Sequence, residues 1–251
     1  MPNEAYLSTW TTYQAAWSDI SDAQRARLLE ASVSEGCIYT DPSTDERHGL
    51  AELVETIRNT QATYPGVSFR NDQLTDYDGQ ALSEWTMYDA GGAEIVKGVS
   101  YARFGTDGRL TNMSGFFVPP GGLTTERSSP PTRPSVSWDI YQASWARMSP
   151  AQRRTLLTTS VDEAGVYSDP AGVRRGCEEV IAYVDAFQEK FSGDWFRQTM
   201  FMEHHGQALS RWERVPVDGS APTPGASYAR FNSEHRLIQM SGFPGSAPRQ
   251  S

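Results

Sequence analysis

Two segments of the chain carry the same Tyr-x-Asp-Pro motif, "YTDP" with Asp41 and "YSDP" with Asp169. A carboxylate held in a pocket can act as a general base that removes a proton from a bound molecule. An aspartate next to proline is also common in turns, where its side chain accepts a hydrogen bond from a nearby backbone N–H. The motif therefore indicates either a pair of catalytic carboxylates or a pair of turns, and the duplication does not distinguish them.

The motif belongs to a repeat that covers almost the whole chain. "YQAAW" returns as "YQASW", "GQALSEW" as "GQALSRW", and "SYARF" occurs unchanged in both copies. Between the copies lies a segment rich in proline, glycine, serine and threonine, which is typical of a linker. The sequence therefore predicts a first domain at residues 1–118, a linker at 119–135 and a second domain at 136–251.

Each copy is predicted to contain three helices followed by strands. In the first copy, apolar spacing and a Ser-x-x-Gln capping box predict helices over Tyr6–Ile20, from the capping box to about Glu35, and over Gly49–Tyr64. The equivalent second helix of the other copy is expected to end near Glu163. Alternation and Asp-Gly turns predict strands at Val67–Thr75, Ala81–Tyr88, Ile95–Phe104 and Leu110–Phe117. Each domain should be α+β, with three helices packed in a curved antiparallel sheet.

Composition excludes several classes of protein. A net charge of -9 without a basic patch argues against a nucleic-acid partner. No apolar run approaches the roughly 20 residues of a membrane span, so no membrane partner is expected. Cys37 and Cys177 form neither a metal-ligand spacing nor a disulfide framework, and no leader is evident. We therefore expect a cytoplasmic protein that uses no cofactor and no metal.

The element order and motifs resemble the nuclear transport factor 2-like (NTF2-like) superfamily. That group includes ketosteroid isomerases, SnoaL-like polyketide cyclases, limonene epoxide hydrolases and scytalone dehydratases. The Asp-Pro passage before the third helix and the closing "YARFGTDGRLTNMSGFF" segment carry the resemblance most specifically. It implies two tandem cone-shaped domains. It also places Asp41 and Asp169 at the position of the ketosteroid isomerase general base.

The chain departs from the isomerase pattern at the groups that polarise the substrate carbonyl. The place of the isomerase tyrosine falls on Trp17 and Trp145, and that of its aspartic acid on Ser100 and Ser227. Indole N–H and hydroxyl groups can each donate a hydrogen bond, but they do not reproduce that pair of donors. Steroid isomerisation is therefore not expected.

Strand alternation and the aromatic face of the first helix, combined with the resemblance, predict the side chains that line a substrate cavity in each domain. Packing in the core is the alternative role for each of them. In the first domain they are Tyr13, Trp17, Ser83, Trp85, Met87, Ser100, Met113 and Phe117. In the second domain they are Tyr141, Trp145, Trp212, Arg214, Ser227 and Met240. Such aromatic walls suit a flat or polyunsaturated apolar substrate.

The resemblance also suggests how the two domains associate. Domains of this superfamily commonly pair through the outer faces of their sheets. Tyr101 and Arg103, with Tyr228 and Arg230, are candidates for such a contact within one chain. We therefore expect an intrachain pseudo-dimer, and the sequence leaves further oligomerisation open.

Three functions remain compatible with the sequence. The first is a cofactor-independent isomerase, cyclase or dehydratase that acts on a small polyketide- or terpenoid-like metabolite, with Asp41 or Asp169 as general base. The second is a non-catalytic ligand-binding or scaffold protein with the same cavity. The third is a cyclase that works by cavity shape, without proton transfer. In the second copy Arg214 replaces Met87, where it would either weaken Asp169 as a base or itself stabilise a developing enolate. The first copy is expected to be the more base-like.

Overall fold

The computed structural model describes residues 3–120 and 132–246, which divide into two units of the same architecture. Each unit contains three helices and a six-stranded sheet, so the predicted α+β fold is confirmed in both. The elements of the first unit are α1 (Glu4–Ala15), α2 (Asp22–Ser32), β1 (Val33–Asp41), β2 (Thr44–His48), α3 (Gly49–Thr63), β3 (Ser68–Tyr77), β4 (Gln80–Tyr88), β5 (Glu94–Phe104) and β6 (Leu110–Phe117).

The second unit repeats this order of elements. They are α4 (Arg133–Ala143), α5 (Pro150–Ser160), β7 (Val161–Asp169), β8 (Gly172–Arg175), α6 (Cys177–Lys190), β9 (Trp195–His204), β10 (Gln207–Val215), β11 (Thr223–Phe231) and β12 (Leu237–Pro244). Most of the predicted linker, residues 121–131, lies outside the described residues. Its last three residues, 133–135, belong to α4, because Thr132 caps that helix by accepting a hydrogen bond from Ser135 N. The domain boundaries stay predictions.

The sheet of the first unit has the strand order β2-β1-β6-β5-β4-β3. The last four strands form the predicted antiparallel meander, whereas β1 pairs with β6 in parallel. The prediction of helix to about Glu35 and Glu163 was wrong, because α2 and α5 end at Ser32 and Ser160. Val33, a β-branched residue, is fully buried and extended, and it begins the strand that leads to the Tyr-x-Asp-Pro motif.

A buried arginine on the second helix fixes the end of the first helix. Both predicted capping boxes are present, at Ser21 and Ser149. One turn later, Arg25 Nε donates to the carbonyl of Ala16 at 3.0 Å and Arg25 Nη2 to that of Ser18 at 3.1 Å. The guanidinium thus satisfies carbonyls at a helix end that has none of its usual intrahelical partners. This explains why α1 ends at Ala15 rather than at the predicted Ile20.

Most of the apolar interior lies between the helices and one face of each sheet. The first core includes Trp10, Leu29, Leu53, Ile57 and Leu110, all nearly inaccessible to solvent. Both cysteines are free and buried in these cores. None of the helices described is long and apolar enough to cross a membrane.

A tryptophan packed over a cross-strand glycine shapes each sheet. Trp85 on β4 is in register with Gly98 on β5, and a Cβ added at Gly98 would lie 2.2 Å from Trp85 Cζ2. The second unit has the same pair, Trp212 and Gly225, again with an approach of 2.2 Å to the indole. Glycine is therefore required opposite the indole, since any side chain would displace the ring.

We expect Gly98→Ala to destabilise the protein by about 1–3 kcal/mol, the usual cost of overpacking a rigid interior. The indole of Trp85 is the neighbour that would have to move. Gly36→Ala on β1 is the matched control, because nothing lies within 4 Å of a Cβ added there. The free energy of unfolding from urea denaturation checks the prediction. Equal stability of the two variants would show that the ring is not held against the glycine.

Candidate active site

Asp41 is the last residue of β1 and is buried, with 6% of its surface exposed. Its Oδ1 accepts a hydrogen bond from Ser43 N at 2.7 Å, and its Oδ2 accepts one from Tyr39 Oη at 2.6 Å. The hydrogen bond from Ser43 N forms the turn that the sequence offered as the alternative to a catalytic carboxylate. Asp41 also lines a cavity, so it both forms the turn and presents a carboxyl group to the pocket.

The phenol that holds Asp41 stays protonated over the whole physiological range. Burial raises the pKa of Tyr39 well above its usual value, and the charge of Asp41 raises it further. Tyr167, the counterpart in the second unit, has its pKa raised in the same direction, again chiefly by burial. Both phenols therefore serve as permanent hydrogen-bond donors to the neighbouring carboxylate.

Asp169 is held more tightly than Asp41. Its Oδ1 accepts from Ala171 N at 2.8 Å, while its Oδ2 accepts from Tyr167 Oη at 3.0 Å and from Tyr183 Oη at 2.5 Å. Tyr183 lies on α6, at the position that Thr56 occupies in the first unit. Sequence analysis missed Tyr183. The Thr-to-Tyr difference between the copies was the available signal.

The first cavity has a volume of about 140 Å³ and is walled by aromatic rings. Tyr39, Trp17, Phe69, Trp85 and Phe117 form a continuous series in which successive ring centroids are 5.5–5.9 Å apart. The predicted site residues that line this cavity are Asp41, Tyr13, Trp17, Trp85, Met87, Ser100 and Phe117.

The second cavity, of about 210 Å³, is larger. Its own aromatic wall includes Trp145, Phe196 and Trp212, whose successive ring centroids are 5.6 and 5.0 Å apart. Pro244 stands where the first unit has Phe117. The predicted site residues that line this cavity are Asp169, Tyr141, Trp145, Trp212, Arg214 and Ser227.

Three predicted lining residues are not among the described residues that line either cavity. Met113 and Met240 belong to the cores, at 2% and 1% exposure. Ser83 is fully buried and hydrogen-bonds the Asn71 side chain at 2.8 Å. Alternation identified the inward face of each strand correctly for the methionines, but the helices fill that face at the end away from Asp41.

A hydroxyl group faces the cavity two strands away from the carboxylate. Ser100 on β5 pairs with Gly115 on β6, and the parallel pairing of β1 with β6 places Asp41 beside the same glycine. Adjacent strands are about 4.8 Å apart, so the backbones of Asp41 and Ser100 are about 10 Å apart. A Cβ at Gly115 would lie 3.4 Å from Asp41 Cβ. Glycine therefore keeps the floor between the two groups open.

The serine hydroxyl is oriented by an indole. Trp85 Nε1 donates to Ser100 Oγ at 2.9 Å, and Trp212 Nε1 donates to Ser227 Oγ at the same distance. Each hydroxyl accepts this bond and keeps its own proton to donate. Within residues 3–120 and 132–246, no acceptor for that proton is found. Each cavity therefore combines a carboxylate and a hydroxyl donor on opposite sides of a glycine.

Among the described residues, no three His, Cys, Asp or Glu side chains are grouped so that they could hold a metal ion. The polar groups that the two cavities share are the carboxylate, the phenols and the serine hydroxyl. A carboxylate that accepts a proton and a hydroxyl that donates to an oxygen are the two functions needed to move a proton next to a carbonyl.

Comparison with solved structures gives neighbours that each cover less than half of this chain. A candidate isomerase of the SnoaL-like family from Agrobacterium tumefaciens is 22% identical, with 46% of this chain and 98% of that chain covered and a TM-score of 0.43. A candidate SnoaL-like polyketide cyclase from Jannaschia sp. CCS1 is 15% identical, with 48% and 90% covered and a TM-score of 0.39. No curated protein sequence matches the chain.

The family comparison concerns the first unit. Residues 13–113 match the model of the SnoaL-like domain. That range extends from the aromatic residues of α1 through the Tyr-x-Asp-Pro motif to β6. Most of the first unit thus matches the SnoaL-like domain, and the second unit repeats the order of elements of the first.

Proposed function

We propose that this protein is a cofactor-free enzyme of isomerase, cyclase or dehydratase type. Asp41 would remove a carbon-bound proton from a small, apolar, polyketide- or terpenoid-like metabolite. The observation that carries the proposal is a buried carboxylate in an aromatic wall, with an indole-oriented serine hydroxyl on the other side of Gly115. The match of residues 13–113 to the SnoaL-like domain supports an isomerase or cyclase role at the level of the family.

The step balances without a further reagent. The proton moves from a substrate carbon to Asp41, and the electron pair that remains is delocalised onto a conjugated oxygen of the substrate. Ser100 donates a hydrogen bond to that oxygen while charge develops on it. Return of the proton to another carbon completes an isomerisation. Attack of the carbanion on a carbonyl, followed by transfer of the proton from Asp41 to the resulting alkoxide, completes a cyclisation. Loss of hydroxide, which takes up the returned proton as water, completes a dehydration.

We assign this role to Asp41 rather than to Asp169. A carboxylate offers about four lone-pair positions to hydrogen-bond donors. Asp41 accepts two hydrogen bonds and Asp169 three, two of them from phenols. Asp41 therefore keeps more lone-pair capacity for a substrate proton. The reason expected from the sequence, an arginine beside Asp169, does not apply, because Arg214 lies three strands away from Asp169.

Ligand binding without catalysis is the second candidate function. It is favoured by the hydrogen bond from Ser43 N to Asp41, which gives the carboxylate a structural role of its own. A cyclase that works by cavity shape, without a base, also remains a candidate. The intrachain pseudo-dimer and the cytoplasmic location stay predictions from the sequence.

Proton abstraction can be tested with 5-nitrobenzisoxazole, a flat aromatic whose ring opens to a coloured phenolate when a base removes its carbon-bound proton. We expect Asp41→Asn to lower kcat/KM for this probe by about 10²-fold or more, the usual contribution of a general base. Asp45→Asn, an exposed carboxylate on β2, is the control and should leave the rate unchanged. A wild-type rate no higher than that of free acetate would reject the base and leave ligand binding.

The hydroxyl donor is tested separately. In the same assay Ser100→Ala should lower kcat by on the order of 10²-fold, as removal of one oxyanion donor does in other enzymes. The matched control is Ser227→Ala, which removes the equivalent hydroxyl from the second cavity. Equal rates for the two variants and the wild type would contradict a role for Ser100 in stabilising the developing anion.

A further inference from the structure

One part of the cavity wall changes from apolar to polar between the two units. In the first unit Val67, Met87 and Val96 are buried and cluster with Trp85. At the same positions the second unit has Asp194, Arg214 and Thr223, while the tryptophan is kept as Trp212. Arg214 and Thr223 line the second cavity. The second cavity thus has a cation in its wall where the first has a methionine.

The neighbours of Arg214 leave part of the hydrogen-bonding capacity of its guanidinium unused. Its Nε forms an ion pair with Asp194 Oδ2 at 3.6 Å, which is too long for a hydrogen bond, and this buried nitrogen has no hydrogen-bond partner within the described residues. Asp194 directs its other oxygen, Oδ1, to Val217 N at 3.1 Å. The guanidinium lies over the Phe191 ring, with Cζ 4.6 Å from the centroid. This packing holds the side chain in place, and it remains 30% exposed at the cavity.

The cation lies far from the carboxylate of the same cavity. In the strand order β7-β12-β11-β10, Asp169 and Arg214 are on strands three positions apart. The separation across the sheet is therefore about 14 Å. Both oxygens of Asp169 already accept hydrogen bonds. An anionic group next to Arg214 would thus be far from Asp169 and would share the guanidinium with Asp194. Trp212 and Phe196 would contact the rest of the ligand.

We propose that the second cavity binds a small aromatic or unsaturated carboxylic acid whose carboxylate pairs with Arg214, whereas the first cavity takes neutral ligands. The planar guanidinium presents paired donors that match a carboxylate, which makes arginine the better choice over lysine for this task. The inference rests on the proposed function only in taking both cavities as small-molecule sites. The two units would then recognise different molecules.

The test uses two probes of the same shape and different charge, 4-ethylbenzoate and 4-ethylbenzamide, added to the full-length protein. Dissociation constants are measured by NMR from the indole N–H signals of Trp212 and Trp85, one in each cavity wall, which are assigned by substitution. We expect the acid to bind at Trp212 at least about tenfold more tightly than the amide, as for a hydrogen-bonded charged pair. No preference for the acid is expected at Trp85.

The matched variant is Asp194→Val with Arg214→Met, which installs the Val67 and Met87 pair of the first unit. Changing both residues avoids leaving a buried carboxylate without its cation. The acid should lose its tenfold advantage at Trp212, while the amide should bind as before. The reciprocal change, Val67→Asp with Met87→Arg, should create a preference for the acid at Trp85.

Equal affinity of the two probes in the wild type, an unchanged preference in the double variant, or no binding of either probe at Trp212 would overturn the proposal. The readout is binding, so it is independent of turnover. If the Asp194→Val, Arg214→Met variant loses the acid preference but Asp41→Asn leaves turnover unchanged, only the catalytic proposal is rejected. If that double variant keeps the acid preference and Asp41→Asn abolishes turnover, only the assignment of the acid site is rejected.

Discussion

The burial of the Asp41 carboxylate is the constraint on which the site depends. A charge removed from water must be hydrogen-bonded, and the chain meets this requirement within a few residues. Alternation along β1 brings Tyr39 to the same face as Asp41, so that its phenol can donate to Oδ2. Pro42 ends the strand, and the turn that follows brings Ser43 N to Oδ1. The turn and the pocket carboxylate therefore depend on each other, because the hydrogen bond of the turn offsets part of the cost of burying the carboxylate.

Local signals predicted much of the fold. The capping boxes at Ser21 and Ser149, the aromatic face of α1 and the four-strand meander all depend on neighbouring residues, and all are present. The parallel pairing of β1 with β6 was not predicted, because it joins segments far apart in sequence and leaves no periodic pattern. The same holds for Tyr183, whose bond to Asp169 depends on how α6 sits against β7. Distinguishing lining residues from core residues such as Met113 also required the packed structure.

The two units show which parts of the scaffold are kept and which vary. Both retain the indole over a glycine, the indole-to-serine bond and the phenol-to-aspartate bond. The cavity walls, in contrast, differ at Met87 and Arg214, at Phe117 and Pro244, and at Thr56 and Tyr183. A fold does not determine its function, and here one scaffold carries two differently lined cavities in a single chain.

The β1–β6 pairing has a consequence for the order of assembly during synthesis. Asp41 leaves the ribosome long before Gly115, the residue that must lie beside it. Until the last strand of the unit docks, the carboxylate has its local turn but no cavity. The first pocket is therefore completed only when β6 docks. A nascent chain that stopped short of β6 would leave the aromatic rings of α1 without the strand that completes their cavity.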